Sequence, residues 1–111
     1  KESRYIQEAH SIYTVVETEV AKYRATDDPS EDDINDYIKD ILSGNTIATA
    51  DNNQLKGIIA KKTELDDVDV ERNGNTYKMY WISDDDHRIE ATLTKNKDVK
   101  IVSTDSNHNF D

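Results

Sequence analysis

The residues able to do chemistry in this chain are mostly carboxylates, and they cluster. Asp66, Asp67 and Asp69 lie close together, as do Asp84, Asp85 and Asp86. Calcium needs six to eight oxygen ligands at set offsets, and neither cluster has the glycine and closing glutamate of a helix-loop-helix calcium loop. Both read as solvated turn acids. Asp84, Asp85 and Asp86 are the better calcium candidates, because a hairpin would present three carboxylates side by side. The histidines His10, His87 and His108 are far apart in sequence, with no paired spacing for zinc. With no cysteine, thiolate catalysis, thiolate metal sites and disulfides are all excluded. No serine sits in a nucleophile-elbow motif, and three glycines leave little backbone for cradling a phosphate. A carboxylate pair working as acid and base is conceivable on abundance alone, and it ranks last among the functional readings. Tyr77, Tyr80 and Trp81 fall on one strand. They read as core on one face and a covering ring on the other, with a carbohydrate platform as the sharper alternative.

Those residues must be positioned by a small fold. The 111 residues suit one domain. A net charge of −10 argues against nucleic acid and against anionic lipid, both of which call for lysine and arginine. It favours solubility and keeps copies apart in free solution.

Residues 1–24 read as a long helix. Ile6, Ala9, Tyr13, Val16, Val20 and Tyr23 recur at alternating spacings of three and four, with Tyr5, Ile12 and Val15 widening the stripe. Glu8, Glu17, Glu19 and Lys22 fall mostly beside it. Residues 25–65 form a connection holding a short helix at 29–43. Asp28, Pro29 and Glu31 supply one start signal, and Ser30 with Asp33 is the competing cap. Ile34, Tyr37, Ile38, Ile41 and Leu42 follow at helical spacing, and Gly44 stops the helix. From Thr46 to Lys62 the pattern is irregular, with a turn at Asp51-Asn52-Asn53; Leu55, Ile58 and Ile59 suit a short helix or a strand end. Residues 66–104 alternate as an antiparallel sheet of about four strands. Its turns are Asn73-Gly74-Asn75, Asp84-Asp85-Asp86 and Lys95-Asn96-Lys97-Asp98. The tail, 105–111, carries no element signal. The fold class is therefore α+β, with the helices first.

The run from Glu8 to Ala21 resembles the exposed half of the long first helix of type IV pilins and pseudopilins. The order of long helix, connecting loop and four-stranded antiparallel sheet is similar to that family across nearly the whole chain. The absence of cysteine is closer to the pilins of Gram-positive bacteria. The chain opens at Lys1, already inside a helical pattern, which the resemblance explains as a hydrophobic helix half removed from upstream. It implies an extracellular, non-catalytic structural subunit of a pilus or pilus-like filament, without cofactors. Its partners would be further copies of itself and the assembly machinery in the membrane, and it would touch the membrane only through that upstream segment. Tyr5, Ile6 and Ala9 would then pack on neighbouring first helices. Tyr13, Val16, Val20 and Tyr23 would face the sheet at Tyr77, Met79 and Trp81. The alternative is a membrane-anchored extracellular ligand-binding or sensor domain, with Tyr80 or Trp81 lining its site.

Overall fold

The computed structural model describes residues 2–44, 57–94, 96 and 98–110. The long helix α1 spans Glu2–Asp27, three residues beyond its expected end. At 1.5 Å per residue it is about 39 Å long, which matches the longest dimension of the molecule, 39 Å. Helix α2 spans Glu31–Tyr37 and runs on as a π-helical turn, Ile38–Leu42. Ser30 wins the competition for the cap. Its hydroxyl accepts from the Asp33 amide, and the Asp33 carboxylate accepts from the Ser30 amide, a reciprocal capping box. Asp28 instead takes a left-handed backbone, φ 48°.

A third helix, α3, spans Ile58–Thr63 in the stretch expected to be irregular. It buries Ile59 and Ala60. Six residues are under two turns, too few to show a period, so the sequence leaves Ile58 and Ile59 open between a short helix and a strand end, and packing on α1 decides for the helix. The expected turn at Asp51-Asn52-Asn53 and Leu55 lie outside the described residues.

Strands β1 (Asp66–Asn73), β2 (Thr76–Ile82), β3 (Arg88–Leu93) and β4 (Val99–Ser103) form one antiparallel sheet in sequence order. The β1–β2 hairpin closes on Asn73 and Thr76 around Gly74 and Asn75, and Gly74 takes the positive φ such a turn needs. Alternation then sorts the faces, with a register shift in the β3–β4 pairing that puts Ile101 and Ser103 on opposite ones. Val70, Met79, Ala91 and Ile101 stand in register as one row across the inner face. Asp69, Tyr80, Glu90 and Ser103 make a parallel row on the outer face. The fold is thus α+β, as expected: a four-stranded antiparallel sheet with α1 across its inner face.

One hydrophobic cluster joins α1, α2, the π-turn, α3 and the inner sheet face. On α1 its buried residues are Tyr5, Ala9, Ile12, Val16 and Val20. That stripe is rotated from the expected one, and Ile6, Tyr13 and Tyr23 are only half buried. Ile6 and Tyr13 fall on the flank of the buried arc, whereas Tyr23 has the same heading as Tyr5, about five turns on, and is half buried because it packs on Tyr37 instead.

Candidate functional site

The first candidate is α1. The expected assembly residues do not form an open face. Tyr5 is 3% exposed and Ala9 fully buried, both inside the chain's own core, and Ile6 is half buried. The Tyr5 hydroxyl donates to Asp85 at 2.7 Å, which ties the start of α1 to the β2–β3 turn. The residues meant for the sheet lie in the same cluster: Val16, Val20, Tyr77, Met79 and Trp81 buried, Tyr13 and Tyr23 against its border. Tyr13 meets Tyr77 edge-on at 5.5 Å between ring centroids, and Tyr23 packs on Tyr37 at 4.5 Å rather than on the sheet.

The open face of α1 is the opposite one. Gln7, Ser11, Thr14, Thr18, Ala21 and Ala25 are all exposed and follow one another at steps of three and four, with Ser3 and His10 on the same side. This arc holds no Asp, Glu, Lys or Arg, although the chain carries 24 acids and 14 bases. Its hydroxyls are also spent on the helix itself. Ser11 donates to the Gln7 carbonyl at 3.1 Å, Thr14 to His10 at 2.9 Å and Thr18 to Thr14 at 2.8 Å. What α1 offers outward is a surface mostly of small residues, without Asp, Glu, Lys or Arg.

Two carboxylates of α1, Glu8 and Glu19, turn inward instead. Glu8 is buried and accepts three hydrogen bonds: from Trp81 Nε1 at 2.8 Å, Ser83 Oγ at 3.1 Å and the Asp84 amide at 3.3 Å. Glu19, also buried, is held by Lys62 at 3.0 Å and Lys22 at 3.3 Å. Glu17 accepts from the Tyr77 hydroxyl. Burial, and then this bond, push the Tyr77 phenol up from its ordinary value. Glu8 and Glu19 were read as flank residues in the sequence. They lie next to Ile12 and Val16 on the helix wheel, and a stripe centred on Tyr5, Ala9 and Ile12 would have included them.

The acid clusters do not gather ligands. Asp84 is exposed, and its backbone amide serves Glu8. Asp85 is committed to Tyr5 and the His87 amide, and Asp86 is an exposed turn residue with φ 70°. Among the described residues no three His, Cys, Asp or Glu side chains are grouped closely enough to hold a metal ion. The ring platform is closed as well. Tyr77 and Trp81 are buried in the core, and Tyr80 is covered by the tail.

That tail is docked on the outer sheet face. The His108 ring stacks on Tyr80 at 3.7 Å, nearly parallel, and its Nε2 lies 2.7 Å from Asp69 Oδ2. The Ser106 amide donates to the Arg88 carbonyl at 2.9 Å. Phe110 meets the His108 ring edge-on, and the Arg88 guanidinium lies 5.1 Å from the Phe110 centroid. Contacts of the ring type contribute about 0.5–1.5 kcal/mol each. Beside the tail, a groove of about 500 Å³ runs between the π-turn and β1, lined by Lys39, Asp40, Ser43, Asp69, Glu71 and His108 among others. Its size suits a small ligand. The hydroxyl of Ser43 is spent, however, donating to Ile38 O at 2.7 Å and accepting from the Val70 amide at 2.9 Å, so it offers no nucleophile. The single histidine–carboxylate pair there has no serine partner for triad chemistry.

The ion pairs set an acid limit on stability. Burial alone would raise the Glu19 carboxyl, but the hydrogen bonds from Lys62 and Lys22 outweigh it and hold it below its usual value of 4.5. Arg72 lowers Glu31 in the same way, and the Tyr5 hydroxyl lowers Asp85. A carboxyl depressed on folding contributes stability above its unfolded value, and that contribution is lost as pH falls through the folded one. Asp67, raised by burial and then by Asp66, acts in the opposite sense and shallows the slope. Urea midpoints are therefore expected to hold above about pH 5 and fall steadily below about pH 4.5. Glu19→Gln should flatten that fall; an equal slope in the variant would remove Glu19 from the account.

No helix among the described residues is long and apolar enough to cross a membrane. The chain matches no protein-family model, no curated protein and no solved structure.

Proposed function

We propose that this chain is a structural subunit of a type IV pilus-like filament, displayed outside the cell, whose copies associate through the outward face of α1. The observation that carries this reading is the arc from Gln7 to Ala25: exposed, small, with no ionised Asp, Glu, Lys or Arg, on the longest element of a chain with net charge −10. On so acidic a molecule, close approach of two copies is opposed nearly everywhere by like-charge repulsion. A helix face free of carboxylates is where that opposition is least, and small side chains let two helix axes come near. Hydroxyls already bonded to their own helix need no partner when water is excluded. The architecture of long helix and four-stranded sheet is compatible with the same reading. Relative to the expectation from the sequence, the interface moves around α1, from Tyr5 and Ala9 to the Thr14–Thr18–Ala21 side. In this reading the chain performs no catalysis. The groove at Ser43 and Asp69 favours a second reading, an extracellular ligand-binding domain, and the same experiment weighs against it.

The test is a double substitution, Thr14→Asp with Ala21→Glu, introduced into the full-length protein in its native cell. Like charges brought together across a helix contact cost several kcal/mol, so sheared filaments should drop by roughly a hundredfold. The isolated chain should melt within about a degree of the wild type, since both positions are exposed. Filaments at wild-type yield would overturn the reading.

A further inference from the structure

The outer face of the sheet carries a slot that is complete without the segment filling it. Asp69, Tyr80 and Arg88 belong to β1, β2 and β3, and the sheet register places Asp69 directly opposite Tyr80. The occupant, Ser106–Phe110, contributes no residue to the hydrophobic core. It is held by a backbone bond, a ring stack, an imidazole–carboxylate contact and a guanidinium on a ring. Phe110 is the chain's single phenylalanine. In a protein short of large apolar residues, it is spent on a contact with Arg88 at the end of the tail instead of on the core. The connecting residues Thr104 and Asp105 are exposed. The tail is therefore recognised as a peptide: its side chains are read by a preformed surface, and its release leaves the core packing intact.

We propose that this slot takes the C-terminal segment of a second copy, through the same contacts by which it holds its own. A swapped segment makes no new interaction, so exchange costs little beyond the effective concentration of the tethered tail. For a short tether that concentration is on the order of millimolar, so exchange becomes competitive only where copies are crowded to a similar level. The exchange does not depend on the filament reading, since slot and occupant both lie on this chain and the α1 face takes no part.

The absence of cysteine makes a direct test clean. Lys39 and Asn109 line the same groove from opposite partners, the π-turn and the tail. One preparation carries Lys39→Cys, a second Asn109→Cys, both in the otherwise intact chain. Mixed at about millimolar concentration and oxidised gently, they should form a cross-linked heterodimer roughly fivefold faster than Asn109→Cys mixed with Lys61→Cys, whose cysteine lies on α3 away from the groove. Adding Asp69→Asn to the Lys39→Cys partner should remove most of that excess. A chain bearing both Lys39→Cys and Asn109→Cys, oxidised when dilute, should close on itself and report that the tail is docked. A heterodimer rate equal to the control, with the intramolecular disulfide forming normally, would overturn the proposal. Filaments at wild-type yield in the α1 variant would overturn the filament reading and, with the cross-link retained, leave this proposal standing.

Discussion

Glu8→Ala is expected to cost about 3 kcal/mol, a large share of the stability of a domain this size. Glu8 accepts from three donors: the Trp81 indole, the Ser83 hydroxyl and the Asp84 amide. Trp81 is completely buried, so its Nε1–H would lose its acceptor in an apolar setting. Glu8→Gln keeps one carbonyl acceptor and the volume but turns an amide donor toward donors already there; its cost should be about 1 to 2 kcal/mol. Urea unfolding followed by fluorescence measures both, because the protein has one tryptophan and it sits at the affected bond. The native emission of Glu8→Ala should also shift. A loss under about 1 kcal/mol would mean that water replaces the carboxylate at little cost and that Glu8 does not clamp α1 to the β2–β3 turn.

The second large effect belongs to Ser43. Its hydroxyl joins the end of the π-turn to the edge of β1, donating to Ile38 O and accepting from the Val70 amide. Next to it, the Gly44 amide donates to Val68 O. Together they satisfy backbone groups on an edge strand that would otherwise invite pairing with another chain. Ser43→Ala should cost about 2 kcal/mol, because the buried Val70 amide loses its acceptor, while the Ile38 carbonyl keeps only the Ser43 backbone amide. Hydrogen exchange should localise the damage, with the Val70 amide exchanging at least tenfold faster while Met79 and Ala91 in the middle of the sheet keep their protection. Unchanged exchange at Val70 would assign the cost of the substitution to something other than this bond.

Much of the architecture is legible in the sequence. Hairpins at Asn73-Gly74-Asn75 and at Asp84–Asp86, the alternation of Tyr77, Met79 and Trp81, and a helix over most of residues 2–27 all follow from local rules. These signals are strong because each repeats with the period of one element. Apolar spacing alone does not say which arc of α1 the sheet will cover, so Glu8 and Glu19 read as flank residues although both are buried. Tyr5 and Ala9 belong to the apolar face in the sequence, and only the resemblance to pilins assigns them to neighbouring copies; the fold buries both in its own core. A buried carboxylate looks the same in sequence as an exposed one; only its partners, 73 residues away for Trp81 and 43 for Lys62, reveal it. The tail had no period at all, and its anchors are single side chains on three different strands.

From the sequence alone came the class of the fold, the order of its elements, the absence of thiol chemistry and the strongly negative charge. Periodicity, turn chemistry and composition are properties of a chain and its near neighbours. Tertiary structure decided which face of α1 is open, that its small-residue arc carries no ionised Asp, Glu, Lys or Arg, that Ser43 seals the edge of β1, and that His108 closes over Tyr80. Each of those joins residues far apart in the chain, and long-range contacts are set by the packing of whole elements, which no local pattern encodes.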